Sequence, residues 1–158
     1  MLQVLKLQSS SFYGPIEPPR TSEGFLKLSL IDLSSNRFTG NLPAEYFGRL
    51  KEMMSTNVDT TSERYYNVED FYYKESVTFG GREIIIQGFM LSSVVALDLS
   101  NNRFHGEIPK VIGDLTSIRA LNLSHNNLTG QIPSLFANML ELESLHLSCN
   151  KLSVRIPP

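Results

Sequence analysis

His125, His146 and Cys149 are the side chains of this chain best suited to hold a soft metal, and they fall near the ends of neighbouring apolar segments. If those segments are adjacent strands about 4.8 Å apart, the three would face a common side. They lack the paired C-x-x-C or H-x-x-x-H spacing of a structural zinc site, so no metal is expected and Cys149 reads as a solvent-side substitution. Asp32 and Asp98, each between two aliphatic residues, could form a carboxyl pair for acid–base work. A long insert separates them in sequence and is expected to lie between their segments, which makes a small polar column the better reading. Ser100, Ser124 and Ser148 occupy one repeated position with no base and acid beside them. Gly80-Gly81 has no following Lys-Ser/Thr and no helix, so it is not a phosphate loop. No enzymatic activity and no cofactor are expected.

The elements that carry these residues repeat. Leu97, Leu121 and Leu145 recur every 24 residues, each within a pattern L-x-L-x-x-N-x-L-x-G-x-I-P. That period is the signature of a leucine-rich repeat solenoid. In the L-x-L segment the two leucines point inward and the residue between them outward, because side chains alternate along a strand. Stacked repeats then form a parallel sheet whose outward residues fall into columns: Lys6, Asp32, Asp98, Asn122 and His146 make one, and Gln8, Ser34, Ser100, Ser124 and Ser148 the next. The expected fold is α/β, a right-handed solenoid with the sheet on its concave face and short 3-10 turns and loops on its convex face.

Asn36, Asn102, Asn126 and Asn150 stand at a fixed offset from these strands, with Ser10 in the corresponding first position. An amide there can donate and accept between neighbouring turns, which predicts a structural ladder. Gly14, Gly40, Gly106 and Gly130 follow, where a bend excludes a side chain; Val154 takes that place in the last repeat.

Two repeats occupy residues 1–49 and three occupy 92–158, but Ile31 and Leu97 are 66 residues apart. Residues 50–91 are therefore an island. Its Tyr65, Tyr66, Tyr72 and Tyr73 are interleaved with charged residues, and either pack the island on the solenoid or contact a ligand. Its second half reads as a hairpin, Glu75–Phe79 and Arg82–Ile86, around Gly80-Gly81. The stretch from Thr56 to Tyr73 has few apolar anchors.

The L-x-G-x-I-P repeats, the element Leu42-Pro43-Ala44-Glu45-Tyr46-Phe47 with Lys51-Glu52-Met53-Met54 after it, and the tyrosine-rich island together resemble the C-terminal part of the ectodomain of plant leucine-rich repeat receptor-like proteins, of the disease-resistance type. The resemblance implies a non-catalytic module that binds an extracellular protein, peptide or glycan and works with co-receptor kinases in defence or development. It also implies a longer parent at the extracellular face of the plasma membrane, with a few repeats, one membrane helix and a short tail after the island. The ectodomain of a receptor kinase, and a secreted inhibitor of cell-wall glycosidases, are the alternatives. Under this resemblance the candidate ligand or partner residues are Tyr65, Tyr66, Tyr72, Tyr73, Asp98, Asn122 and His146.

Net charge is −2 with both signs dispersed, which gives no footprint for nucleic acid. No signal peptide is visible, and the longest apolar stretch, 84–97, is broken by Gln87, Ser92 and Ser93, too short to span a bilayer. Two N-x-S/T sequons, at Asn122 and Asn127, are glycosylation candidates for a secreted parent, although both also fall out of the repeat pattern.

Overall fold

The structure, a computed structural model, describes residues 2–18, 27–54 and 95–153, and the backbone of 74–79 and 82–87. The first repeat supplies β1 (Val4–Lys6) and β2 (Tyr13–Pro15). The second supplies β3 (Leu30–Asp32), β4 (Arg37–Thr39) and the single-turn helices α1 (Ala44–Phe47) and α2 (Lys51–Met54). The hairpin strands β5 (Lys74–Phe79) and β6 (Arg82–Gln87) come next. Then follow β7 (Ala96–Asp98), β8 (His105–Glu107), β9 (Ala120–Asn122), β10 (Asn127–Thr129) and β11 (Ser144–His146). The convex turns at Lys110–Asp114 and Ser134–Asn138 are 3-10.

Among the described residues, one five-stranded parallel sheet runs β1-β3-β7-β9-β11. Its register aligns Leu5, Ile31, Leu97, Leu121 and Leu145 in one row, and Lys6, Asp32, Asp98, Asn122 and His146 in the next. Each strand is three residues long because only the x-L-x segment is extended before the chain turns across the solenoid. The leucines fill a core in which Leu97, Leu121 and Leu123 are at most 1% exposed. Burial fades at the last repeat, where Leu145 is 40% exposed, since an end repeat has a neighbour on one side only.

The island does not separate the repeats that flank it. Asp32 pairs directly with Asp98, so the expectation that the insert stands between their strands is corrected. Leu33 and Ser35 donate their N–H groups to the carbonyls of Asp98 and Ser100, and Arg103 and His105 donate back to Phe38 and Gly40. A stack of phenylalanines crosses the same seam, Phe12 on Phe38 at 6.0 Å and Phe38 on Phe104 at 6.1 Å between centroids. The chain leaves the solenoid later than residue 50. Leu50 is buried and Met53 wholly so, the Met53 carbonyl accepts from Ser117 N–H at 3.0 Å, and the Met54 carbonyl accepts from Thr116 Oγ1 at 3.1 Å. Lys27 and Glu52 tie the same corner together as an ion pair. Residues 50–54 therefore close the second repeat, because a Leu-x-x-Met spacing puts two apolar side chains on the inward face of a helical turn.

The hairpin is antiparallel, with Phe79 opposite Arg82 and Lys74 opposite Gln87, one residue longer at each outer end than the sequence predicts. Gly80-Gly81, the four island tyrosines and Val154 lie outside the described residues.

Each ladder asparagine bridges two repeats. Asn126 Nδ2 donates to the carbonyls of Leu99 in the preceding repeat (3.0 Å) and of Leu123 and Ser124 in its own, and its Oδ1 accepts from Phe104 N–H at 3.1 Å. Asn36, Asn102 and Asn150 repeat the arrangement toward Leu7, Leu33 and Leu123. Ser10, lacking the amide, reaches only the carbonyl of Gln8 through its side chain.

Two features lie beyond the sequence reading. Short parallel pairs β2–β4 and β8–β10 run along a second edge of the solenoid. Ser35, Asn101, His125 and Cys149, which follow the strands, sit at φ of 51 to 56°, in the left-handed region that disfavours most side chains. Gly106 also needs positive φ (+80°), and a Cβ there would lie 2.4 Å from Asn41 Oδ1. At Gly14 nothing lies within 4 Å of such a Cβ, so its φ of +85° alone demands glycine.

Candidate functional site

The row Lys6, Asp32, Asp98, Asn122 and His146 runs along the concave face because each residue falls between two core aliphatics and must point the other way. With the serine column beside them, Asp98, Asn122 and His146 of this row line a groove of about 490 Å³ whose walls also include Ser34, Ser100 and Ser124. The lining is almost entirely hydroxyl, amide, carboxyl and imidazole, which suits hydrogen-bonded recognition of an extended polar ligand.

Within the row the side chains are engaged to different degrees. Asp32 Oδ1 accepts from Ser34 N–H at 3.0 Å and Ser34 Oγ at 2.6 Å, which ends its strand in a side-chain turn. Asp98 Oδ1 accepts from Ser100 N–H at 2.9 Å, and Asn122 Oδ1 from Ser124 N–H and Oγ. Asn122 Nδ2 donates to Asp98 Oδ2 at 3.1 Å. Asp32 Oδ2 is buried and has no hydrogen-bond partner among the described residues. Burial pushes the Asp98 carboxyl above its ordinary value; bonds from Ser100 oppose this, the nearby Asp32 adds to it, and the bond from Asn122 opposes it.

Two of the sequence expectations change here. Asp98 and Asn122, read as outward residues open to a ligand, are 2% and 4% exposed. Close packing of the concave rows and their own side-chain bonds leave each only a sliver of surface at the groove floor. Asn122 is also no acceptor for a glycan on the folded chain, since its amide nitrogen is buried against Asp98. Asn127, on β10, is exposed. His146 is half-buried and its Nε2 lies 2.9 Å from Ser144 Oγ. His125 and Cys149 follow the serine column and are exposed, and no three His, Cys, Asp or Glu among the described residues are gathered to hold a metal. Tyr65, Tyr66, Tyr72 and Tyr73 lie outside the described residues.

The repeat register, the asparagine ladder and this groove agree with what the chain matches. A family profile described as Leucine Rich Repeat covers residues 27–49, 93–115, 117–139 and 141–158, just over half of the sequence. The chain belongs to the leucine-rich repeat family. Among plant proteins it resembles Receptor-like protein 53 of Arabidopsis thaliana, with 41% identity over 115 residues, and Receptor-like protein 19 of the same plant, with 43% over 120. Each match takes in 71% of this chain and 12% of the relative, so the chain spans about an eighth of those proteins. Among solved structures, the Arabidopsis receptor kinase HAESA with the peptide hormone IDA and co-receptor SERK1 aligns over 99% of this chain and 19% of that one, at TM-score 0.65 and 29% identity. The BIR2 ectodomain aligns over 96% of this chain and 57% of its own, at TM-score 0.64 and 30% identity. Both the match to receptor-like proteins and the leucine-rich repeat solenoid predicted from the 24-residue period are therefore established.

Among the described residues no helix is long and apolar enough to cross a membrane.

Proposed function

We propose that this chain is a non-catalytic recognition module of a plant cell-surface receptor-like protein, which binds an extracellular ligand along its concave groove and joins a partner receptor kinase to signal. The observation that carries this reading is the polar groove itself, floored by a continuous row of side chains from consecutive repeats. A solenoid offers such a surface at little cost, because each repeat adds one residue to each column without altering the core. The parent protein belongs, on this reading, at the extracellular face of the plasma membrane, in defence or developmental signalling. Similarity to a peptide-hormone receptor bound to hormone and co-receptor supports a peptide as ligand class and a kinase as partner. Likeness in fold to the receptor kinase HAESA keeps a kinase-bearing parent as the second reading. Tyr65, Tyr66, Tyr72 and Tyr73 are proposed as a further contact surface for ligand or co-receptor.

The test is a binding screen of the purified chain against extracellular plant and microbial peptide and glycan fractions, repeated with Ser100→Arg and Ser124→Tyr, which fill the groove. Binding that is lost in both variants, with unfolding midpoints unchanged, supports the groove. Binding that survives both would move recognition elsewhere, and the four tyrosines become the next substitutions.

A further inference from the structure

Arg37 and Arg103 stand on the second edge of the solenoid, the one built by β2, β4, β8 and β10. Backbone bonds carry that edge across the island. Tyr13 is in register with Arg37, and Asn127 with His105. A bridge between Asn41 and His105, together with the bond from Arg103 N–H to the Phe38 carbonyl, joins the two pairs. Phe38, Phe104 and Leu128 turn into the core, so the residues that alternate with them turn outward. Arg37, Arg103, His105 and Asn127 are exposed accordingly, and Tyr13 is 84% exposed. Lys151, also exposed, extends the edge by donating its N–H to the Leu128 carbonyl.

The position after the ladder asparagine thus reads Arg37, Arg103, Asn127 and Lys151 in successive repeats. Its three cations have no ion pair among the described residues, whereas Lys27 and Arg119 are each paired with a glutamate. The one acid within β2, β4, β8 and β10 is Glu107, four residues past Arg103. A chain of net charge −2 therefore carries a locally basic edge. Like charges on neighbouring strands do not help the fold.

We propose that this edge is a second binding surface, outside the concave groove, for a linear acidic polysaccharide that bears a carboxylate on each sugar. Cations placed at regular intervals by the repeat match anions placed at regular intervals by the polymer. Each guanidinium can hold a carboxylate through two parallel bonds. Asn127 and Thr129 set amide and hydroxyl groups between Arg103 and Lys151, which suits sugar hydroxyls. Tyr13 offers an open ring beside Arg37, on which the apolar face of a sugar can lie. An acidic peptide is the poorer match, because peptide and protein hot spots are side chains seated in desolvated pockets, and here the cations and Tyr13 are all exposed.

The experiment is calorimetric titration of the full chain at physiological ionic strength, where weak long-range attraction is screened. The probes are an oligogalacturonate, its fully methyl-esterified uncharged form, and an oligoglutamate of equal charge. Chain made without glycan is used, because a glycan at Asn127 would stand between Arg103 and Lys151. Saturable binding of the oligogalacturonate is expected, with none of the ester and weaker binding of the oligoglutamate. The double variant Arg37→Gln, Arg103→Gln should bind roughly tenfold or more weakly, through loss of charge-assisted bonds, with its unfolding midpoint unchanged. Lys110→Gln, which removes a cation from the convex turn, and Ser124→Tyr, which fills the groove, should bind as the parent does. Four results each overturn the inference: no binding by the parent chain, equal binding of the ester, undiminished binding by the double variant, or an equal loss in Lys110→Gln, the mark of net charge alone. Loss in Ser124→Tyr would seat the polymer in the groove, and oligoglutamate binding as tight as that of the uronate would make the edge a peptide surface; either also overturns it. The edge is separate from the groove lining, so none of these results decides the ligand screen above.

Discussion

Replacing Asn126 with alanine tests how the solenoid holds together. The side chain is 7% exposed and makes four hydrogen bonds. Two of these cross to the preceding repeat, to Leu99 O and from Phe104 N–H; the other two close its own turn on Leu123 O and Ser124 O. A net hydrogen bond is worth about 1 kcal/mol, so the two inter-repeat bonds together contribute about 2 kcal/mol. Phe104 is fully buried, and its orphaned N–H adds about 1 to 3 kcal/mol of unrecovered desolvation. The expected loss is about 3 to 5 kcal/mol, a large part of the roughly 5 to 15 kcal/mol available to a domain. Asn150→Ala removes the same set of bonds from a half-exposed site where water can replace the amide, so about 1 kcal/mol is expected there. Asn126→Asp keeps the acceptor but points a carboxyl oxygen at three carbonyls, and should cost at least as much as the alanine. Urea unfolding of the three variants, followed by circular dichroism, gives the comparison. An unchanged midpoint for Asn126→Ala, or a loss no larger than that of Asn150→Ala, would refute the ladder as the element that couples repeats.

Leu121→Ala, at a site with no exposed surface, should destabilise by about 2 to 5 kcal/mol, whereas Leu145→Ala, 40% exposed at the end repeat, should cost about 1 kcal/mol; equal losses in denaturant titration would contradict the burial gradient. Secreted expression of the chain behind a signal peptide should give a glycan at Asn127 and none at Asn122, read as a gel shift abolished by Asn127→Gln and unaffected by Asn122→Gln; glycan at Asn122 would mean that the concave row forms only after modification. The folded chain holds the Asp98 proton more tightly than the unfolded chain does, chiefly because of burial. Its contribution to stability is therefore present below the unfolded carboxyl value, about 3.9, and lost as pH rises through the raised folded value. The stability of Asp98→Asn relative to the parent should accordingly fall on acidification across that window, and a pH-independent difference would show that burial does not govern this group.

Much of the architecture was legible in residue spacing. The alternation of Leu97-Asp98-Leu99 and its copies at 24 residues leaves one geometry in which every leucine is buried and every intervening residue shares a face. The recurring asparagine follows from the need to satisfy backbone groups at the same turn of each repeat. The hairpin was legible for the same local reason, a Gly-Gly pair between β-branched runs. These are short-range constraints, and composition and periodicity state them directly.

What lay beyond the sequence was everything that depends on which residues become neighbours across the island. A 66-residue gap gives no sign that β3 and β7 pair as closely as β7 and β9, because loop closure costs little extra with length and the repeats' own hydrogen bonds and phenylalanine stack outweigh it. That pairing brings Asp32 against Asp98, and one Asp32 carboxyl oxygen has no hydrogen-bond donor among the described residues. Leu50 and Met53 join the core for a related reason: the Met53 carbonyl accepts from Ser117 N–H, in a repeat that follows the island in sequence. Exposure too was a tertiary outcome, since Asn122 and Asn127 both sit in sequons and only the packing of the concave rows separates a buried amide from a free one. Periodicity within each repeat thus determined the fold and the identity of the concave columns, while contacts between repeats distant in sequence decided which of those side chains meet and which are buried.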